Sequence, residues 1–67
     1  MTLMLVFTPD EQRYLSTRAD AVPRVGDIVR FHANGIPNEP LKVDRVEWLV
    51  LDGRPPGLQV NVYTRES

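Results

Sequence analysis

Apolar and polar residues alternate along most of this chain, and short breaks rich in proline and glycine separate the alternating runs. The runs span residues 2–7, 13–18, 27–33, 41–51 and 58–64. Alternation with a period of two places successive side chains on opposite faces, which is typical of β-strands. Proline and glycine are the residues that most often mark turns between strands. The pattern therefore predicts an all-β chain of five short strands.

The runs differ in how their two faces are filled. Run 2–7 is apolar on both faces, which predicts a strand that is covered on both sides. Run 41–51 has apolar residues on both faces in its second half, which predicts a long, bent strand that serves two sheets. Run 58–64 alternates most regularly and predicts a half-buried strand. Together the runs indicate a small five-stranded antiparallel barrel or a strongly coiled sheet.

The segment after the first run, T-P-D-E-Q, fits two structures. In a turn, Pro9 takes the second position and Asp10 the third, because proline fixes φ near about −65°. In a helix, Thr8 caps the first turn, Pro9 takes the first helical position and Glu11 completes a capping box. No apolar stripe at helical spacing follows. The pattern favours a hairpin, and a short helix remains the alternative for residues 8–18.

Residues 22–31 read V-P-R-V-G-D-I-V-R-F and are the most informative stretch of the chain. A proline, a Val-Gly-Asp turn and β-branched residues describe a loop that leads into a strand. We expect Asp27 to bind backbone amides of its own turn, since aspartate commonly does so in turns. We also expect Val29 and Phe31 to share one face of the strand.

Length and composition limit what this chain can build. Its 67 residues make one domain, 1–67, and 42% of them are hydrophobic and 25% charged, as in folded proteins. The absence of cysteine and the single histidine exclude a disulfide, a thiolate metal site and a multi-histidine zinc site. The core of so short a chain must come from packing alone or from a second copy. We therefore expect no metal and no cofactor, and a homodimer is a candidate.

The start of the chain, M-T-L-M-L-V-F, does not resemble a signal peptide. It has no basic flank and leads directly into Pro9, whereas a signal peptide has a longer apolar region and a small-residue cleavage site. No apolar stretch approaches the roughly 20 residues of a membrane span. The absence of cysteine suits a reducing compartment. We expect a cytoplasmic protein with no membrane partner.

The charge balance disfavours nucleic acid as a partner. Eight basic residues meet nine acidic ones, and the formal net charge is −1, whereas nucleic-acid-binding domains usually have a basic excess. A nucleic-acid-binding barrel is nevertheless the alternative function. Its candidate cations are Arg13, Arg18, Arg24, Arg30, Lys42 and Arg45.

Catalysis has little support in the sequence. His32 is the only histidine, and nothing in its spacing from Ser16 or Asp27 indicates a triad, which is defined by geometry. The carboxylates lack the tight alternate spacing of a calcium loop. The four glycines stand alone at turns, so no phosphate-binding loop exists. We expect a protein that is not an enzyme.

The binding candidates fall in two groups. They are Arg54, Pro55 and Pro56 in one loop, and Arg30, His32 and Arg45 on two predicted strands. The loop is stiffened by its prolines, and a preorganised loop loses less entropy on binding; alternatively it only connects two strands. The second group is interpreted as a polar outer face with cross-strand pairs, or alternatively as a patch that faces acidic groups.

Trp48 is the only tryptophan. It shares a face with Val46 and Val50, and we expect it in the core, because a small core needs the area that an indole buries. The alternative is an exposed platform for a nucleic-acid base or an anchor for a protein partner.

The segments V-P-R-V-G-D-I-V-R-F, L-K-V-D-R-V-E-W-L-V and L-Q-V-N-V-Y resemble the small SH3-like barrels of short phage and prophage proteins of bacteria. Those barrels share a P-x-V-G-D-x-V turn and strand, a V-x-x-V-x-W strand and a closing V-x-V strand. The resemblance covers residues 22–63 and carries over no site residues. It implies a non-enzymatic accessory protein, a protein–protein interaction module that binds a bacterial host or phage protein. Binding through a loop or an open strand edge is expected, because small barrels rarely close fully.

Overall fold

Five β-strands form a single sheet in a computed structural model of the chain, which describes residues 2–53 and 57–67. The strands are β1 (Thr2–Phe7), β2 (Tyr14–Ala19), β3 (Ile28–Val29), β4 (Leu41–Leu51) and β5 (Gly57–Glu66). The described residues contain no helix. The all-β prediction with five strands is therefore confirmed.

The sheet is mixed and curls into a half-barrel with the strand order β2-β1-β5-β4-β3. Three neighbouring pairs are antiparallel, as expected, but β1 and β5 run parallel. This corrects the expectation of an antiparallel sheet throughout. Parallel neighbours require a long crossover connection, and here the chain passes through three other strands before β5 returns beside β1. Local alternation does not encode such a long-range pairing.

Residues 8–13 connect β1 and β2 as a hairpin, so the favoured alternative for this segment is confirmed. The backbone N–H of Glu11 donates to the carbonyl of Thr8 at 2.8 Å, and the N–H of Thr8 donates to the carbonyl of Arg13 at 3.0 Å. The turn that begins at Thr8 therefore has Pro9 and Asp10 at its two central positions, as the sequence predicts.

Strand β3 is much shorter than the predicted run 27–33. It pairs with β4 only through Ile28 opposite Lys42 and Val29 opposite Leu41. The next pair in this register would be Arg30 opposite Pro40, but the ladder does not extend to it. The side chains still follow the predicted alternation, since Val29 is half-buried and Phe31 is 3% exposed.

A register shift between Val43 and Arg45 interrupts the pairing of β4 with β5. An extra residue in one strand changes which side chains face the core. Val43 is therefore buried before the shift and Val46 packs against the core after it, although they are three residues apart. Strand β4 belongs to one sheet, which corrects the expectation that it serves two.

The core lies on the concave face of the half-barrel and is small. Its buried hydrophobic side chains are Phe31, Leu41, Val43, Val60 and Val62. Partly buried side chains packed against it come from β1, β3, β4 and the segment before β3, namely Met4, Val6, Val22, Val29 and Val46. Because so few side chains are buried, the edges and one end of the sheet are not covered by the core.

Candidate functional site

A groove separates β2 from β3, the two outermost strands of the sheet. We call it the seam groove; it has a volume of about 360 Å³. Its lining consists of Met4, Val6, Leu15, Ser16, Thr17, Pro23, Val29, Arg30 and Phe31. Most of these side chains are apolar, so the seam groove suits an apolar occupant.

Strand pairing explains why these side chains converge. Thr17 lies opposite Met4 and Leu15 lies opposite Val6, and directly opposed residues of paired strands point to the same face. Met4 and Val6 form the floor, because both pack against the core. Phe31 forms the other wall. The sequence predicts the face of Phe31 correctly, but it does not indicate that β2 and β3 would border one groove.

The backbone of β2 supplies hydrogen-bonding groups at the seam groove. Strand β2 pairs with β1 on one side and with no other strand in the described part of the chain. Alternate residues of a strand direct their N–H and C=O groups to opposite sides. An extended segment lying in the groove could therefore pair with β2 and place every second side chain on the apolar floor.

A second open edge runs along β4. We call residues 45–51 of β4, with the side chains of Trp48 and Val50, the Trp48 edge. Strand β3 reaches only Lys42, and loop bonds reach Val43, whose carbonyl accepts from Gly26 N at 2.9 Å. Within residues 2–53 and 57–67, nothing pairs with the Trp48 edge on the side away from β5.

Trp48 is 51% exposed, and this corrects the expectation that it belongs to the core. The side of the sheet on which Trp48 lies was predicted correctly, since Trp48 pairs with the buried Val60. The β4–β5 hairpin continues past the core, however, and Val50 and Leu58 farther along are 82% and 49% exposed. The described residues leave this end of the concave face uncovered. An exposed tryptophan fits both forms of its alternative role, a platform for a nucleic-acid base and an anchor for a protein partner.

The three predicted binding residues that the structure describes, Arg30, His32 and Arg45, do not form one cluster. Arg30 lines the seam groove. His32 lies after β3, with its Nδ1 3.4 Å from the amide nitrogen of Asn38. Arg45 lies 3.9 Å from Glu11 and 4.0 Å from the ring centre of Tyr63. No hydrogen bond or ion pair in the described residues joins Arg45 to the other two. The remaining candidates, Arg54, Pro55 and Pro56, lie outside the described residues.

An aromatic row crosses the convex face and was missed in the sequence. Phe7 stacks on Tyr63 with ring centres 5.0 Å apart and contacts Tyr14 at 5.4 Å. The Arg45 guanidinium lies over the Tyr63 ring, on the face opposite Phe7. The row depends on the parallel pairing of Phe7 with Tyr63, so alternation within single strands does not reveal it.

Four titratable side chains, Asp10, Arg13, Glu39 and Glu66, line a cavity of about 250 Å³ beside the β1–β2 turn. The pKa of Asp10 is lowered, chiefly because the Thr8 hydroxyl donates to its carboxylate at 2.6 Å and secondly because Gln12 N–H donates at 3.0 Å. These bonds hold the β1–β2 turn, which forms one wall of that cavity. No group of three or more metal-ligating side chains occurs in the described residues. Asp27 accepts from Arg24 N at 2.9 Å, which confirms its predicted role in its turn.

Comparison of the chain with protein-family models, curated sequences and solved structures finds no match. In the part of the chain that the structure describes, no helix is long and apolar enough to span a bilayer.

Proposed function

We propose that this chain is a non-enzymatic, cytoplasmic accessory protein of the phage or prophage type and acts as a protein–protein interaction module. It binds an extended segment of a bacterial host or phage protein in the seam groove. The observation that carries the proposal is the juxtaposition of an apolar floor with the unpaired edge of β2.

When a partner segment pairs with β2 as an added strand, its affinity and its specificity have separate sources. Main-chain hydrogen bonds to β2 supply affinity for any extended segment, and the groove selects among side chains. A bound segment would place alternate apolar side chains between Leu15 and Phe31, above Met4 and Val6. Leu15 is 37% exposed and would become covered. Binding thus completes a core that the chain alone leaves open.

Arg30 adds a preference for charge. It is the only charged residue among those that line the seam groove, and no ion pair engages it within the described residues. A carboxylate on the bound segment could pair with its guanidinium, which is suited to bidentate contact. The partner segment is therefore expected to alternate apolar and polar residues and to carry an aspartate or glutamate near Arg30.

The test is a selection from a displayed library of random peptides about ten residues long, enough to form a strand of ordinary length. We expect the selected peptides to alternate apolar and polar residues with at least one acidic residue. Their synthetic versions should shift the NMR signals of Leu15, Thr17 and Phe31. Leu15→Lys places a charge in the groove, and we expect it to weaken binding at least about tenfold, the equivalent of about 1.4 kcal/mol.

Val50→Lys is the matched control. It adds the same charge at a side chain that is 82% exposed on β4, far from β2 in the strand order. It should leave peptide binding unchanged. Peptides that bind Leu15→Lys as well as the unchanged protein, or a selection that enriches no alternating sequence, would overturn the proposal.

A further inference from the structure

The β1–β2 turn determines which residues of β2 direct their backbone groups into the seam groove. The N–H of Thr8 donates to the carbonyl of Arg13 at 3.0 Å, and the N–H of Arg13 donates to Thr8 Oγ1 at 3.3 Å. Both backbone groups of Arg13 therefore point towards β1. Alternate residues of a strand direct these groups to opposite sides, so Tyr14, Ser16 and Arg18 direct theirs away from β1.

The pairing of β1 with β5 gives the same result independently. The Thr64 hydroxyl of β5 donates to the carbonyl of Phe7 at 2.7 Å, so this carbonyl points to β5, although Phe7 lies opposite Tyr14 on β2. Two opposed residues of an antiparallel ladder exchange either both hydrogen bonds or neither. Phe7 and Tyr14 exchange neither, and the backbone groups of Tyr14 are left for a further strand.

The side chains of the same three residues lie on the convex face. Tyr14, Ser16 and Arg18 oppose residues of β1 that alternate with Met4 and Val6, which pack against the core. A strand added to β2 alternates in the same way. Every second residue of it points to the apolar floor of the seam groove, and the residues between point to the convex side.

We propose that Tyr14 and Arg18 select the partner segment from the convex side of the sheet. This inference rests on the proposed function, because it requires an extended segment that pairs with β2. The segment carries an aromatic residue beside Tyr14 and an acidic residue beside Arg18, in addition to the acidic residue expected near Arg30. The acidic residue precedes the aromatic one in an antiparallel segment and follows it in a parallel one.

Tyr14 is the open end of the aromatic row. Its ring centre lies 5.4 Å from that of Phe7, which stacks on Tyr63 on its other side. Tyr14 is 55% exposed, because β2 is the outermost strand. Side chains that oppose each other on neighbouring strands have Cβ atoms about 4.5–5.5 Å apart, close enough for rings to touch. An aromatic residue on the added strand therefore continues the row and covers Tyr14.

Arg18 places a positive charge near the other end of β2. No ion pair engages it within residues 2–53 and 57–67, and Asp20, the nearest acidic residue along the chain, forms none with it. A guanidinium binds a carboxylate through two parallel N–H groups, and opposite charges on paired strands stabilise a sheet. An acidic residue on the added strand is therefore favoured beside Arg18, and a basic one is disfavoured.

Amide hydrogen exchange tests the direction of the backbone groups. In the free protein, the amide protons of Tyr14, Ser16 and Arg18 should exchange faster than those of Leu15 and Thr17, which bond to β1. A saturating synthetic peptide from the selection described above should slow the three fast amides, because the peptide accepts hydrogen bonds from them. The opposite pattern in the free protein, or fast exchange of the three that persists in the complex, overturns the inference.

Reversal of charge tests the role of Arg18. The random library should enrich an acidic residue at one convex position with the unchanged protein, and a basic residue there with Arg18→Glu. A selected peptide and its version with lysine at that position should reverse their order of affinity between the two proteins. The expected preference is about threefold or more in each, the scale of a charge pair across strands.

Arg65→Glu is the matched control for this reversal. It changes the net charge equally, but it lies on β5, two strands away from β2. Arg65 is 60% exposed and is 3.7 Å from Asp44, and an exposed ion pair of this kind contributes little to stability. This variant should keep the preference of the unchanged protein. A loss of preference in Arg65→Glu as large as that in Arg18→Glu overturns the inference.

Tyr14→Ser tests the aromatic contact. We expect it to weaken a selected peptide about fivefold, the scale of an aromatic pair, and to leave the affinity of the same peptide without its aromatic residue unchanged. Circular dichroism verifies that the variant folds. Peptides that respond to Leu15→Lys but to neither Tyr14→Ser nor Arg18→Glu overturn the inference and leave the proposed function standing. A library that enriches no alternating sequence overturns both.

Discussion

At the scale of single residues, the β1–β2 turn contains a conformation that its sequence does not favour. Glu11 has a φ of 58° and is the only non-glycine residue with positive φ in the described residues. A side chain in this left-handed region costs about 1–2 kcal/mol because Cβ approaches the following carbonyl. The bonds between Thr8, Glu11 and Arg13 hold the backbone there. The turn therefore stores strain that one substitution can remove.

Glu11→Gly should stabilise the fold by about 0.5–1 kcal/mol. Glycine adopts positive φ without a steric penalty, and the gain is partly offset by the greater freedom of glycine in the unfolded chain. The lost ion pair with Arg45 contributes little, since both side chains are about 60% exposed. Urea unfolding followed by Trp48 fluorescence measures the change, at low protein concentration so that self-association does not contribute.

Glu11→Ala is the control for this substitution. It removes the carboxylate but keeps Cβ, so it retains the strain and should be no more stable than the unchanged protein. If the glycine and alanine variants unfold at the same urea concentration, strain at Glu11 is not the reason for any difference.

At the scale of strands, alternation predicted the existence of each element better than its ends. The bounds of β1 and β4 agree with the predicted runs 2–7 and 41–51. Strand β3 ends at Val29, whereas the alternation of the run 27–33 predicts a strand that continues for four more residues. Alternation does not indicate the bulge in β4, because it places Val43 and Val46 on opposite faces, whereas the buried Val43 and the partly buried Val46 pack in the same core.

The pairing of β1 with β5 has a polar contact that alternation could not reveal. Thr64 is 6% exposed, and its hydroxyl donates to the carbonyl of Phe7 at 2.7 Å. This bond fastens the end of β1 to β5, two strands that are distant in sequence. A buried carbonyl that loses its donor costs more than an exposed one, so this hydroxyl should contribute measurably to the parallel pair.

Thr64→Val should lower the free energy of unfolding by about 1–2 kcal/mol, because valine has a similar shape but cannot donate to Phe7. Thr17→Val is the control, since Thr17 is an exposed threonine on β2 and should tolerate the same change within about 0.5 kcal/mol. Urea unfolding of both variants measures the difference. Equal effects of the two substitutions would show that the bond to Phe7 contributes nothing specific.

At the scale of the whole molecule, the sequence predicts binding through a loop or an open strand edge, but it does not indicate which edges the sheet leaves open. The seam groove combines residues from β1, β2, the segment before β3 and the residues around β3. Only the complete strand order brings them together. Trp48 was expected in the core because it lies on the apolar face of β4. Alternation identifies that face, but it does not show how much of the strand's length is covered by other side chains. The lining of the seam groove and the exposure of Trp48 both depend on how all five strands are arranged in the half-barrel.

The distribution of charge over the molecule bears on the alternative function. Of the six cations proposed for nucleic-acid binding, Arg45 is directed to Glu11 and Tyr63, and Arg13 donates to the carbonyl of Gly35. Asp27 lies in the same turn as Arg24 and binds its backbone N–H. A formal net charge of −1 creates little long-range attraction for phosphate backbones.

We therefore expect no measurable binding to single- or double-stranded DNA at about 50 mM salt, where phosphate contacts are strong. Fluorescence anisotropy of labelled oligonucleotides measures this. Arg30→Ser should make no difference to that result, although it should weaken the acidic peptides selected for the seam groove. Binding that strengthens as salt falls, and that Arg30→Ser reduces, would contradict the proposed function and favour a nucleic-acid-binding barrel. Arg30→Ser thus separates the two functions: it leaves the DNA assay unchanged if the partner is a carboxylate, and it lowers DNA binding if the partner is a phosphate.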